Sequence, residues 1–193
     1  MGSISLMTDV ASVRLAREGY IKIKLVTLRE ADGALHDREV EEHGNSTCVL
    51  AYDPGRKVAL LVSQARAPVL LAGERENLLE AIAGMADGQE APEETIRREA
   101  MEEAGLALQA LEPISKVWCS PGVSAERSSL FLAPYAAADR TGQGGGLADE
   151  HEHIEVLEIP IAELWAKAQA GQIQDLKTLA LVLALHARHP ELF

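Results

Sequence analysis

The segment Pro92–Gly105 constrains the fold most, because its start, its stop and two of its faces are all written in the residues. Pro92 suits the first helical position, where a missing N–H costs nothing, and Gly105 suits the position just past the last turn. Between them Ile96, Ala100 and Ala104 recur every four residues, an apolar stripe that predicts packing on a sheet. Glu99, Glu102 and Glu103 stand at i, i+3 and i+4 and share another face. Like charges at that spacing destabilise an isolated helix, so the arrangement makes sense when a hard cation with oxygen ligands binds between them, and Mg²⁺ is the natural choice. Arg98, four residues before Glu102, is placed to hold that carboxylate.

The rest of the chain reads mostly as β-structure. Tyr20–Leu28 begins with alternating apolar and basic residues, and Ala31-Asp32-Gly33 supplies a hairpin turn. Ser46–Tyr52 and Lys57–Ser63 are joined by the turn residues Asp53-Pro54-Gly55-Arg56 and are expected to pair antiparallel. A loop to about Asn77 then gives way to the short run Leu78–Ala83, which leads into Gly84. Ile114–Cys119 and Ser128–Tyr135 are strand candidates on either side of Ser120-Pro121-Gly122, and Ile154–Ile159 alternates like an outer strand. The stretch Ala136–His153, with its glycines between Gly142 and Gly146, reads as a mobile loop. Pro160 opens a helix ending near Gly171, and Asp175 is expected to cap a final apolar helix through His186. Strands and helices mix without a strict βαβ rhythm, which points to the α+β class, a mostly β core flanked by helices.

A chain of 193 residues with 47% hydrophobic residues can bury a substantial core. Eighteen Lys and Arg against 30 Asp and Glu give a net charge of -12, which repels long nucleic acids but admits a small anion if a divalent metal carries the positive charge. The longest apolar stretch, Leu179–Leu185, is too short to span a bilayer, and no secretory leader opens the chain, so a soluble cytoplasmic protein with no nucleic-acid or membrane partner is expected. Cys48 and Cys119 lie far apart in apolar runs and are expected to be reduced core residues.

From Gly84 to Leu106 the chain reads GMADGQEAPEETIRREAMEEAGL. Gly84, Glu90, Arg98, Glu99, Glu102, Glu103 and Gly105 fit the pattern G-x5-E-x7-R-E-U-x-E-E-x-G-U, where U is a large aliphatic residue, and the segment resembles the Nudix box. Ala100 is smaller than the residue usual at its position. With Glu at about 11% and the other fixed letters at about 7%, a chance match is on the order of one in a hundred thousand. A solvated acidic helix, its early glutamates favoured by the macrodipole, would account for the acids but not for Gly84 and Glu90 at their distances.

The resemblance runs from about Glu39 to Lys177. It implies a Nudix-type α/β/α sandwich on a mixed β-sheet, with residues 43–193 as the domain and residues 1–42 as an N-terminal β extension. It also implies a divalent metal, Mg²⁺ with Mn²⁺ able to substitute, held by the backbone carbonyl of Ala83 and by Glu99 and Glu103, with Glu102 in the catalytic set. Gly84 would let the backbone approach the metal closely.

Outside the box, Ser120-Pro121-Gly122 followed by Ser124–Ser129 resembles the ADP-ribose pyrophosphatase branch, and Gly146–Glu152 resembles the catalytic loop of that branch. Carried over, Glu150 activates water, Glu152 completes the metal shell and Glu126 is the next candidate base. His151 and His153 are set aside, because Mg²⁺ prefers oxygen. The substrate contacts implied are Arg38, Glu39, Arg66, Pro121, Glu126 and Lys177. Taken alone, Arg66 reads as an exposed arginine at a strand end and Lys177 as a solvated helix lysine. Arg38-Glu39-Val40 resembles a segment that reaches across a homodimer with swapped N-terminal strands. The Gly144–Gly146 run, Ile154-Glu155-Val156 and the region of Lys177 are shared with GDP-mannose pyrophosphatases.

The implied reaction is hydrolysis of the diphosphate of a nucleotide sugar. ADP-ribose, giving AMP and ribose 5-phosphate, comes first, and GDP-mannose, giving GMP and mannose 1-phosphate, is the alternative. A Nudix domain serving only as a ligand sensor fits less well, since Glu99, Glu102 and Glu103 are all retained.

Overall fold

The computed structural model describes residues 8–86, 88–146 and 153–193. They form two compact units, one made of residues up to Asn45 with Trp118–Arg127, the other of Ser46–Val117 with Ser128–Phe193.

In the first unit β1 (Asp9–Arg17), β2 (Lys22–Arg29) and β3 (Leu35–Glu42) make an antiparallel sheet in that order. The expected hairpin turn is present, with Asp32 Oδ1 accepting from the Ala34 N–H at 2.9 Å. β1 was not legible, because bulges between Val10 and Ser12 and between Leu15 and Arg17 break the two-residue period that marks a strand. The turn around Pro121 does more than connect strands. Glu41 donates its N–H to Val123 O at 2.9 Å and accepts from the Ala125 N–H at 3.0 Å, so the turn is laced to the end of β3.

The second unit holds a mixed sheet in which β4 (Ser46–Asp53) pairs antiparallel with β5 (Val58–Gln64) and parallel with β9 (Arg127–Pro134). β10 (Glu155–Pro160) borders β5, and β8 (Glu112–Trp118) borders β9. Side chains alternate across this sheet. Cys48, Leu50, Ala59, Leu61, Leu130 and Leu132 enter one core, while Val49, Ala51, Leu60, Val62, Phe131 and Ala133 enter the other. Because both faces are buried, these strands read as continuous apolar runs. α3 (Ile161–Gln169) and α4 (Leu176–Arg188) cover the first face through Ile161, Leu164, Leu181, Val182 and Leu185. α2 (Pro92–Ala104) covers the second through Ile96, Ala100 and Ala104, the predicted stripe. Each fully buried Leu or Ile there contributes about 1.5–3 kcal/mol. This is the expected α/β/α layering.

β4 and β5 pair only from Ala51–Leu60 to Asp53–Val58. Farther along, β6 (Leu78–Glu80) pairs with β5 and β7 (Ile82–Met85) pairs with β4. The sequence showed one run here. It is split at Ala81, whose N–H goes to Thr178 Oγ1 at 2.7 Å. The expected loop before it contains α1 (Ala67–Leu71), which buries no side chain and so gives no periodic signal.

Of the two cysteines, both free, Cys48 is buried as expected and Cys119 is only half-buried. No helix among the described residues is long and apolar enough to cross a membrane.

Candidate active site

β7 delivers Ala83 and Gly84 alongside α2. A Cβ at Gly84 would overlap the side chain of Glu99, so glycine is what lets that carboxylate lie on the backbone. One turn later Glu103 Oε2 accepts the Ala83 N–H at 3.3 Å. Glu103 is 4% exposed, so the acidic face of the helix is turned inward there rather than open to solvent.

Arg98 does more than its spacing to Glu102 suggested. Its Nη1 donates to Glu99 Oε1 at 2.9 Å and to Glu102 Oε2 at 3.1 Å, and its Nη2 donates to Glu90 Oε2 at 3.2 Å and to Met85 O at 3.3 Å. Glu90 also accepts from Thr95 Oγ1 at 2.9 Å, tying the loop to the first turn of α2. Burial works against the Arg98 charge, but Glu90 and Glu99 outweigh it and the pKa rises. The repulsion expected between Glu99 and Glu102 is thus offset by the guanidinium they share, while Glu103 accepts from the Ala83 N–H.

A second polar group stands at the start of α4, where Thr178 also takes the Ala81 N–H. Asp175 Oδ2 accepts from the Thr178 N–H and hydroxyl at 2.8 and 2.6 Å, and Oδ1 accepts from Lys177 Nζ at 2.7 Å. Lys177 is therefore half-buried and paired, not a solvated helix lysine. Burial pushes its pKa down, the Asp175 charge outweighs this, and the net shift is upward, helped by the nearby Glu80. Arg66 donates from Nε to Glu80 Oε2 at 2.9 Å. Glu80, 4% exposed, is the residue that sequence reasoning missed. It was legible as the sole charge in Leu78–Ala83. Burial pushes the thiol of Cys48 well above its ordinary pKa, which leaves it no role as a nucleophile at neutral pH.

The structure places Ala83, Glu99, Glu102, Glu103, Arg66 and Lys177 in the second unit, and Arg38, Glu39, Pro121 and Glu126 in the first. Arg38 and Glu39 are exposed on β3, Pro121 is exposed at its turn, and Glu126 is half-buried. Asp149, Glu150, His151 and Glu152 lie outside the described residues.

The donors around Gly84 are oxygens, two carboxylates and a peptide carbonyl, the set a hard divalent cation takes. The Gly84 cradle, which any side chain would fill, fits the same use. Among the described residues no group of three or more His, Cys, Asp or Glu side chains is gathered as a ready metal cage. Glu99 and Glu102 are bound to Arg98, and Glu103 to the Ala83 N–H.

Residues 42–181 match the NUDIX domain. The chain is 37% identical over 190 residues to the GDP-mannose pyrophosphatase of Cronobacter sakazakii, covering 96% of this chain and 98% of that one. It is 34% identical over 192 residues to the GDP-mannose pyrophosphatase of Salmonella arizonae, covering 97% of each. A crystal structure of an ADP compounds hydrolase is similar with a TM-score of 0.76 over 96% of both chains at 17% identity, a likeness of fold. Hydrolases of this family generally act with a divalent metal. Box, layered sheet and full-length relatives agree, and the chain belongs to the NUDIX family of hydrolases.

Proposed function

We propose that this chain is a Mg²⁺-dependent pyrophosphohydrolase of nucleoside diphosphate sugars, with GDP-mannose as the substrate to place first. The geometric observation that carries the reading is the Glu99 carboxylate packed on Gly84 beside Glu103 and Ala83. The choice of sugar nucleotide is supported by relatives 33–37% identical that are named GDP-mannose pyrophosphatase. ADP-ribose is the second reading, favoured by the Ser120-Pro121-Gly122 turn that resembles its branch.

Ala83 O, Glu99 and Glu103 would hold the metal, with Glu152 assigned to the same shell by resemblance. Mg²⁺, or Mn²⁺ in its place, would neutralise phosphate charge and lower the pKa of the attacking water. Arg98 orients Glu99 and Glu102. Arg66, braced by Glu80, and Lys177, braced by Asp175, supply positive charge toward the diphosphate. Glu150 takes the proton from water, with Glu126 as the alternative base. The water oxygen bonds to phosphorus, the bridging P–O bond breaks, and the products are GMP and mannose 1-phosphate, or AMP and ribose 5-phosphate.

The chain acts as a homodimer in which Arg38, Glu39 and Pro121 serve the nucleotide end. Val10, Val13, Leu15 and Leu35, each 48–61% exposed on the first unit, support a covering partner.

GDP-mannose and ADP-ribose incubated with Mg²⁺ in ¹⁸O-water test the reaction. Label in one phosphate of the monoester products is expected. Free mannose with GDP, or free ribose with ADP, would refute it, and so would turnover unaffected by EDTA. Light scattering of a fully active monomer would refute the dimer.

A further inference from the structure

We infer that the glycine-rich segment Gly142–Gly146 is a backbone clasp on the carboxylate helix, and that Gly144 is a positioning residue for Glu102 and Glu103. Its consequence for metal binding rests on the reading proposed above.

The last carbonyls of a helix have no partner within it. In α2 they are met from outside. Gly145 donates its N–H to Glu103 O at 2.8 Å and Gly146 donates to Glu102 O at 3.2 Å. Thr141 and Gly142 both donate to Gly105 O, at 2.9 and 3.1 Å, and Ile154 closes the run by donating to Gly145 O at 3.3 Å. The two carbonyls grasped within the helix thus belong to two residues whose side chains form the acidic face. The N–H groups also bring positive dipole ends to the negative end of α2, on which those acids sit.

At Gly144 and Gly105 the approach is possible only without a side chain. A Cβ on Gly144 would overlap Glu103 O and lie 2.6 Å from Ala104 Cα, and one on Gly105 would overlap the Gly142 carbonyl. At Gly142 an added Cβ would meet Gly105 Cα at 3.3 Å. The sequence suggested that these glycines supply mobility. Gly142, Gly144, Gly145 and Gly146 nonetheless meet the end of α2 through these contacts, and bulk at Gly144 would move the backbone that carries Glu102 and Glu103.

A merely structural cap would affect folding stability and leave metal affinity alone. Gly171→Ala supplies the control, because Gly171 has φ +71°, close to the +68° of Gly144, but nothing within 4 Å of an added Cβ. The full chain and the variants Gly171→Ala, Gly142→Ala and Gly144→Ala are compared by Mn²⁺ titration calorimetry on metal-free protein, by the Mg²⁺ concentration for half-maximal turnover, and by thermal midpoint. Gly171→Ala is expected to lower the midpoint only. Gly144→Ala is expected to weaken Mn²⁺ binding and to reduce kcat about 10²-fold, the usual loss for a displacement of about 1 Å. Gly142→Ala, with no left-handed strain, should move in the same direction by less. Metal affinity in Gly144→Ala equal to that of Gly171→Ala would overturn the proposal. If Gly144→Ala does not fold, unchanged Mn²⁺ affinity in Gly142→Ala overturns it. A wild-type chain that binds no Mn²⁺ overturns the metal-dependent reading itself, a result visible before any variant is compared.

Discussion

The carboxylate of Glu99 lies over the Cα of Gly84, in the space that a side chain at position 84 would occupy. Gly84→Ala must therefore displace the Glu99 carboxylate or distort the start of the box. A loss of about 10²-fold in kcat is expected for a shift of that size, with the far-UV circular dichroism preserved. Steady-state kinetics at saturating Mg²⁺ check this, and activity within a few-fold of wild type would show that Glu99 is not held against the backbone for catalysis.

Glu103→Gln keeps the shape of the side chain and an oxygen able to accept the Ala83 N–H, now 3.3 Å from Oε2. The fold should survive although the residue is buried. What disappears is the negative charge. The Mg²⁺ requirement should rise by at least about 10–100-fold, a loss seen even for groups that only support a metal ligand. An unchanged Mg²⁺ titration would remove Glu103 from the metal shell.

Much of this arrangement was legible because its signals are local. Pro92, Gly105 and the Ile96–Ala100–Ala104 stripe fix α2 within one segment, and Asp175 announces α4 three residues before Thr178. β4, β5 and β9 declare themselves as apolar runs because both faces are covered. What escaped depends on partners distant in sequence. The corner at Ala81 exists because Thr178, 97 residues away, takes its N–H. Glu80 stands out as the one charge in its run but its partner Arg66 does not, and the Pro121 turn shows its role only when it meets Glu41. The role of Arg98 was half read, since i+4 spacing points to Glu102 but not to Glu90 across the loop.

Arg66→Ala removes a donor from Glu80, a carboxylate that is 4% exposed. Stranding that acceptor should cost about 1–3 kcal/mol of stability. If Arg66 also holds the diphosphate, the same variant should raise KM roughly 10-fold or more, the worth of a charged hydrogen bond of about 1.5–3 kcal/mol. Adding Glu80→Gln to Arg66→Ala separates the two effects. The thermal midpoint should recover while KM stays high, and recovery of both would make Arg66 a structural residue only.

The Asp175–Lys177 pair should leave a signature in the pH dependence of stability. Burial by itself would raise the Asp175 pKa, but the Lys177 charge and the hydrogen bonds from Lys177 and Thr178 outweigh it, so the folded value lies below the ordinary one. A depressed folded pKa gives stability that is present above the unfolded value, about 3.9, and is lost as pH falls through the folded value. Lys177 has the opposite sign. Its folded pKa is raised, so its contribution is complete below about 10.4 and is lost as pH rises through the folded value. Between about pH 5 and 9 both contributions are constant. Asp175→Asn can still cap α4 through its side-chain oxygen but cannot answer the Lys177 charge. Its stability deficit in urea melts should be flat across that window and shrink as pH falls below the unfolded carboxylate value, about 3.9, toward the depressed folded one. Asp175→Ala loses the cap too, worth about 0.5–2 kcal/mol, and that extra loss should persist at acid pH. A deficit for Asp175→Asn that stays constant to about pH 2, well below the unfolded carboxylate pKa, would mean that the ion pair contributes nothing and that Asp175 serves α4 as a cap alone.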